Sequence, residues 1–141
     1  MKHNFIFLLI GGISGGFSVL ISAWGAHGLA TVFERNPQDR FAFNYATNFH
    51  IIHSMLLVVI ALFNEYSNEN SRSLKCLCIF LLFGILLFCF PIYLRIIFDY
   101  TGFSFVTPFG GICFFISWLL ISIFAMGKIY ALGNISSQYR K

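Results

Sequence analysis

Three histidines, an arginine and an aspartate stand in or beside long apolar runs: His27, His50, His53, Arg95 and Asp99. With Asn48 and Thr107 they are the side chains of this sequence best suited to chemistry. Ionisable groups inside a membrane are costly. They usually face a bundle interior or a cavity, so a gathering of them is a candidate site. Three chemistries use these residue types. Three histidines in one pocket could hold zinc or copper. A histidine pair on different helices could hold a haem. A chain of His, Asp and Arg could relay protons or bind a lipid or quinone headgroup. Each has a bland counterpart. Arg95 and Asp99 are four apart and can pair with each other while snorkelling to the interface. His50 and His53 can be neutral, bonded to backbone or to Asn48. His27 can cap free carbonyls at a helix end. No HExxH, phosphate loop, nucleophile elbow or cysteine cluster is present, and the expectation is that the chain is not an enzyme. No metal or cofactor is expected, with haem or zinc as the alternatives.

The elements that would position these residues are membrane helices. Of the 141 residues, 58% are hydrophobic and only 10% charged. A soluble domain of this size could not hide that much apolar surface. Four runs are long enough to cross a bilayer, which takes about 20 helical residues. The sequence is therefore expected to form an all-α integral membrane four-helix bundle, one domain over 1–141. Its helices are placed at about 5–27, 37–63, 75–100 and 108–132. With an even number of spans both termini share a side. That side carries Lys2, Arg72, Lys75, Lys128, Arg140 and Lys141 against Arg35, Arg40 and Arg95 opposite, which places both termini inside. The scattered basic residues serve orientation, and no nucleic-acid partner is expected. The first apolar run imitates a secretory signal, with Ala23-Trp24-Gly25 as a loose cleavage site, but its length and glycine content suit a retained helix better. The four cysteines read as buried small hydrophobes, not disulfides. The Asn134-Ile135-Ser136 sequon falls on the inner side and carries no weight.

On this topology the candidate residues share one depth. His27 ends the first helix. Asn48, His50 and His53 lie in the early part of the second, with the two histidines on one face. Arg95 and Asp99 end the third, and Thr107 opens the fourth. All fall in the outer leaflet, while the inner halves read as almost wholly apolar. Asn36-Pro37-Gln38-Asp39 is a capped helix opening, and a helix from Pro37 to Phe63, about 40 Å long, should place its first turns among headgroups or bend near Phe43. Pro91 should kink the third helix, and Gly102 should close it. Thr107-Pro108 should cap and open the fourth. Gly11, Gly15, Ser18, Ser22 and Gly25 line one face of the first helix, widened by Gly12 and Gly16. With Gly110 and Gly111 of the fourth they form a packing seam, expected to bring a neighbouring helix or another subunit close.

Several segments carry a family resemblance: Gly25-Ala26-His27-Gly28-Leu29, Ala46 to His53, Tyr93 with Thr101-Gly102, and Thr107-Pro108-Phe109-Gly110-Gly111 leading to Trp118. The chain resembles the YgdD-type small integral membrane proteins over nearly its whole length. The resemblance implies four spans in a bacterial inner membrane or, alternatively, a mitochondrial inner membrane. It implies no activity. The family pattern has its second histidine at His53 and more often another polar residue at His50, so the resemblance gives His50 the lower weight. It usually has small residues before Tyr93, where this chain has Phe90-Pro91-Ile92. The expected role is a non-enzymatic accessory or scaffold subunit. Besides the lipid bilayer, its partners would be a second copy or a larger membrane complex. The alternative is a small ligand-binding, proton, metal or haem protein.

Overall fold

A computed structural model describes residues 2–67 and 72–138, with side-chain surroundings from Asn4 to Ser67 and from Arg72 to Gly133. Arg140 and Lys141, on which part of the expected orientation rests, lie outside the described residues. The chain folds as α1 (Lys2–Gly28), α2 (Ala30–Arg35), α3 (Pro37–Tyr66), α4 (Arg72–Gly84), α5 (Phe90–Phe98) and α6 (Thr107–Gln138). A π-helical turn, Ile85–Cys89, joins α4 to α5, and a 3-10 turn, Ser104–Val106, precedes α6. Four spans long and apolar enough to cross a membrane result: Asn4–Gly28, Pro37–Tyr66, Arg72–Phe98 and Ser104–Gly133.

Local chemistry explains most boundaries. Asn36 is extended (φ −140°), and its side chain accepts from the Gln38 amide at 3.2 Å, so α3 opens as its sequence suggests. It then runs unbroken past Phe43 to Tyr66. Pro91 cannot donate to the preceding turn, and the π turn just before it absorbs the mismatch. The third span stops earlier than expected. Asp99, not Gly102, takes the left-handed conformation (φ 53°), and the Tyr100 amide closes back on the Leu94 carbonyl at 3.3 Å. Aspartate tolerates that region better than most residues. Thr107 already has helical angles (φ −52°, ψ −43°), because the 3-10 turn before it starts the winding. The short α2 was not expected; its Phe33 is buried against Phe43, at 5.7 Å between ring centroids.

The second and third spans form the centre. Of their most apolar windows 44% is buried, against 17% for the first and fourth. α1 packs mainly on α3, and α6 packs on α4 and the π turn. The small-residue seam makes both contacts. A Cβ on Gly11 would lie 2.9 Å from Val58 Cγ2, one on Gly15 3.7 Å from Ser54 Cβ, and one on Gly25 would run into the Phe43 ring. Ser18 is buried on the same line, whereas Ser22 is exposed. The α1 seam therefore serves a helix of its own chain. Gly110 presses on the backbone of the π turn: a Cβ there would meet Phe88 N and lie 2.6 Å from the Leu87 carbonyl carbon. Gly12 and Gly16 face open space.

Candidate functional site

Polar side chains occur at three levels between the helices. At one end Asp39 of α3 pairs with Arg95 of α5 at 3.0 Å, and its second oxygen accepts from Asn36 Nδ2 at 3.1 Å. At the other end Asn4 of α1 donates to Glu65 at 2.9 Å and accepts from Asn64 Nδ2 at 2.8 Å. Asn4 and Asn64 are both buried. This end is therefore not wholly apolar, contrary to the expectation from sequence. Single polar residues at the edges of apolar runs look like boundaries until the fold brings two such edges together.

Two chains of hydrogen bonds lie between these ends. The first starts at Ser54 Oγ, which lies 2.8 Å from Ser14 Oγ on α1. Ser14 Oγ lies 2.9 Å from His50 Nε2, and His50 Nδ1 lies 3.2 Å from the Tyr93 hydroxyl on α5. Ser54, His50 and Tyr93 are all at most 4% exposed. The second chain belongs to His53. Its Nδ1 lies 2.7 Å from the Phe49 carbonyl, which can only accept, so Nδ1 carries the hydrogen. Nε2 is then free to accept from the Trp118 indole of α6 at 3.4 Å. The ring stacks on Phe114 at 3.7 Å between centroids. Both nitrogens of His53 are thereby used within the protein.

The expected convergence does not form. Two residues three apart on a central helix point to different neighbours. His50 turns to α1 and α5, and His53 to α6. His27 is exposed at the end of α1, Asn48 is exposed, and Thr107 is half-buried. Asn48 lines a shallow groove of about 380 Å³ with Ser18, Ser22 and Thr47. Arg95 pairs with Asp39 and not with Asp99, because Asp99 is the left-handed stop of α5 and is exposed. Among the described residues no three His, Cys, Asp or Glu side chains are grouped closely enough to hold a metal ion. The cysteines are free thiols; Cys78 and Cys89 are buried, Cys113 is half-buried and Cys76 is exposed. Ser14, Ser54, Asn4, Asn64 and Glu65 were missed in the sequence. Ser14, three residues after Gly11 and one before Gly15, sits beside the seam and could have been read as facing the same neighbour.

The arrangement can hold helices in register through paired polar groups, and one of its two chains borders open space. Between α1 and the third span runs a crevice of about 420 Å³, lined by Ile13, Ser14, Phe17, His50, Leu86 and Phe90 among others. A second hollow of about 250 Å³ continues it past Phe17 and Phe90 to Trp24 and Tyr93.

Comparison with known proteins agrees with the membrane reading. Over 124 residues the chain is 29% identical to the UPF0382 membrane protein YwdK of Bacillus subtilis, covering 86% of this chain and 96% of that protein. It is 29% identical over 120 residues to a UPF0382 membrane protein of Staphylococcus epidermidis, covering 84% and 93%. A UPF0382 membrane protein of Staphylococcus saprophyticus is 25% identical over 118 residues, covering 84% and 94%. No solved structure matches the chain. The family model described as "Protein of unknown function (DUF423)" matches residues 21–111, from the last turns of α1 into the first turns of α6, and the chain belongs to that family of membrane proteins.

Proposed function

We propose that this protein is a non-enzymatic accessory or scaffold subunit of a larger assembly in a bacterial inner membrane, with both termini inside. The observation that carries the reading is the outer face of α1. Gly12 and Gly16 stand four apart there, and a Cβ at either meets nothing within 4 Å. Lipid supplies little drive for helices to associate, so close backbone approach at small residues is the usual means. The inward face of the same helix already uses its small residues on α3, which leaves Gly12 and Gly16 for a neighbour. The paired interior groups fit a structural part in this scheme. The inner-membrane placement draws on the YgdD-type resemblance and the bacterial relatives.

The test is a Gly12→Leu/Gly16→Leu double variant, purified in mild detergent and weighed intact by native mass spectrometry. A Cβ at either position meets nothing of its own chain, so the thermal melt should match or exceed that of the wild type. The wild type should carry a partner at fixed ratio, and the double variant should lose it. A wild type that emerges bare, or a partner retained by both proteins, overturns the proposal. A second reading, that the protein binds a small ligand within the bilayer, is favoured by the crevice beside His50.

A further inference from the structure

The shallow groove between α1 and α3 presents polar groups to the lipid. Ser18, Ser22 and Ala23 line it from α1, and Thr47, Asn48 and Ile51 from α3. Two of these side chains are spent on their own helices. Ser18 Oγ donates to the Gly15 carbonyl at 2.7 Å, and Thr47 Oγ1 donates to the Asn44 carbonyl at 3.1 Å. Asn48 differs. It is exposed, and among the described residues none hydrogen-bonds its side chain. Its carboxamide offers two donor hydrogens and an acceptor oxygen.

Depth makes that exposure costly. The span Pro37–Tyr66 is centred between Ile51 and Ile52, so Asn48 lies about 5 Å from the middle of the bilayer at 1.5 Å per residue. The hydrocarbon core is about 30 Å thick, which puts the amide roughly 10 Å inside it. Water and the ester carbonyls of phospholipids stop at the interface, and an unbonded amide in hydrocarbon is unfavourable. Whatever covers Asn48 must bring both a donor and an acceptor to that depth. A carboxamide is its own complement, because two of them close a ring through two reciprocal N–H···O bonds. A second copy of the chain presents the same group at the same depth, and two-fold symmetry sets the two groups face to face. The surroundings permit the approach. Ser22, Ala23 and Ala26 on the α1 side are small, and Val19 beside them, 57% exposed, supplies apolar contact.

We propose that the protein forms a two-fold homodimer through this groove, the Asn48 carboxamides of the two copies exchanging a reciprocal pair of hydrogen bonds near the axis. The hydrogen bonds fix the depth and register of the contact, and the small residues of α1 set how closely the helices approach. The dimer goes beyond the scaffold role and does not depend on it. That role uses Gly12 and Gly16 and a different protein, so either can fail alone.

The test uses the purified chain alone, with no other protein present. Copies carrying a donor or an acceptor fluorophore after α6 are mixed in phosphatidylcholine vesicles, and energy transfer is followed as the protein is diluted with lipid. Transfer should persist at dilutions where chance proximity gives none, and should rise linearly with the acceptor fraction, as a dimer requires. Asn48→Val should weaken association about tenfold, the effect of two interhelical hydrogen bonds in lipid. Asn48→Gln keeps the carboxamide and should associate more tightly than Asn48→Val. The side chain bonds nothing in its own chain, so thermal melts of both variants should show an intact fold. A wild type that shows only chance proximity overturns the proposal, as does association that Asn48→Val leaves unchanged. Native mass spectrometry of protein released from the same vesicles gives a second reading. A monomer holding one phospholipid, lost in Asn48→Val, would assign the groove to lipid and overturn the dimer.

Discussion

His53 shows how a histidine within a span can find partners for both ring nitrogens inside the protein. Its tautomer follows from one contact: a carbonyl accepts at Nδ1, so Nε2 must be the acceptor for Trp118. His53→Phe keeps a ring to stack on Phe114 and leaves the indole N–H without its partner. Hydrogen bonds between membrane helices average about 0.6 kcal/mol and reach about 1.7. A double-mutant cycle of His53→Phe and Trp118→Phe, followed by denaturation in mixed detergent micelles, should give a coupling of that size. A coupling indistinguishable from zero would mean that the 3.4 Å contact holds nothing in place. His50 differs because its neighbours on both sides are hydroxyl groups, which can donate or accept. These two contacts therefore accept either tautomer of His50.

Among the elements, the third span has the least regular geometry. Pro91 calls for a wider turn, and the π turn supplies it where Gly110 of α6 lies against its backbone. Gly110 and Gly111 are neighbours in sequence with opposite surroundings. A Cβ at Gly110 would collide with the backbone of the π turn, which cannot swing aside, whereas one at Gly111 would only reach Phe88 at 4.0 Å. Gly110→Ala should destabilise the protein by about 1–3 kcal/mol or more, as overpacking does. Gly111→Ala should be neutral, or stabilising by up to about 1 kcal/mol through the lower cost of ordering alanine in a helix. Thermal melts of the two variants in one detergent make the comparison. Equal melting temperatures would mean that α6 can move off the turn.

For the whole molecule, orientation in the membrane has a direct test. Four spans put Lys2 and the end of α6 on one side, and the excess of Lys and Arg there predicts the cytoplasmic side. A reporter that is active only in the cytoplasm, fused after α6 or inserted between Ser67 and Arg72, should be active. The same reporter inserted at Tyr100–Phe103 should be silent, and the reverse pattern would invert the assignment.

Composition and run length were enough for the spans, because a helix in lipid must satisfy its own backbone and stay apolar for the width of the bilayer. The start of α3 was equally legible, since Asn36, Pro37 and Asp39 act on residues two or three positions away. The small-residue face of α1 could be read from spacing alone, but not which helix it meets. Asp99 misled because a short side chain near a helix end can be an ion-pair partner or a left-handed stop. Only the position of Asp39 on another helix showed that Arg95 had a better partner. The polar chains were hidden for the same reason. Ser14, Asn4 and Tyr93 are unremarkable singly, and the side chains that complete them lie between 36 and 61 residues away in sequence. Local rules read what is bonded within a few residues. Which buried groups meet across helices depends on the rotation of each helix about its axis, and that is settled by packing all four together.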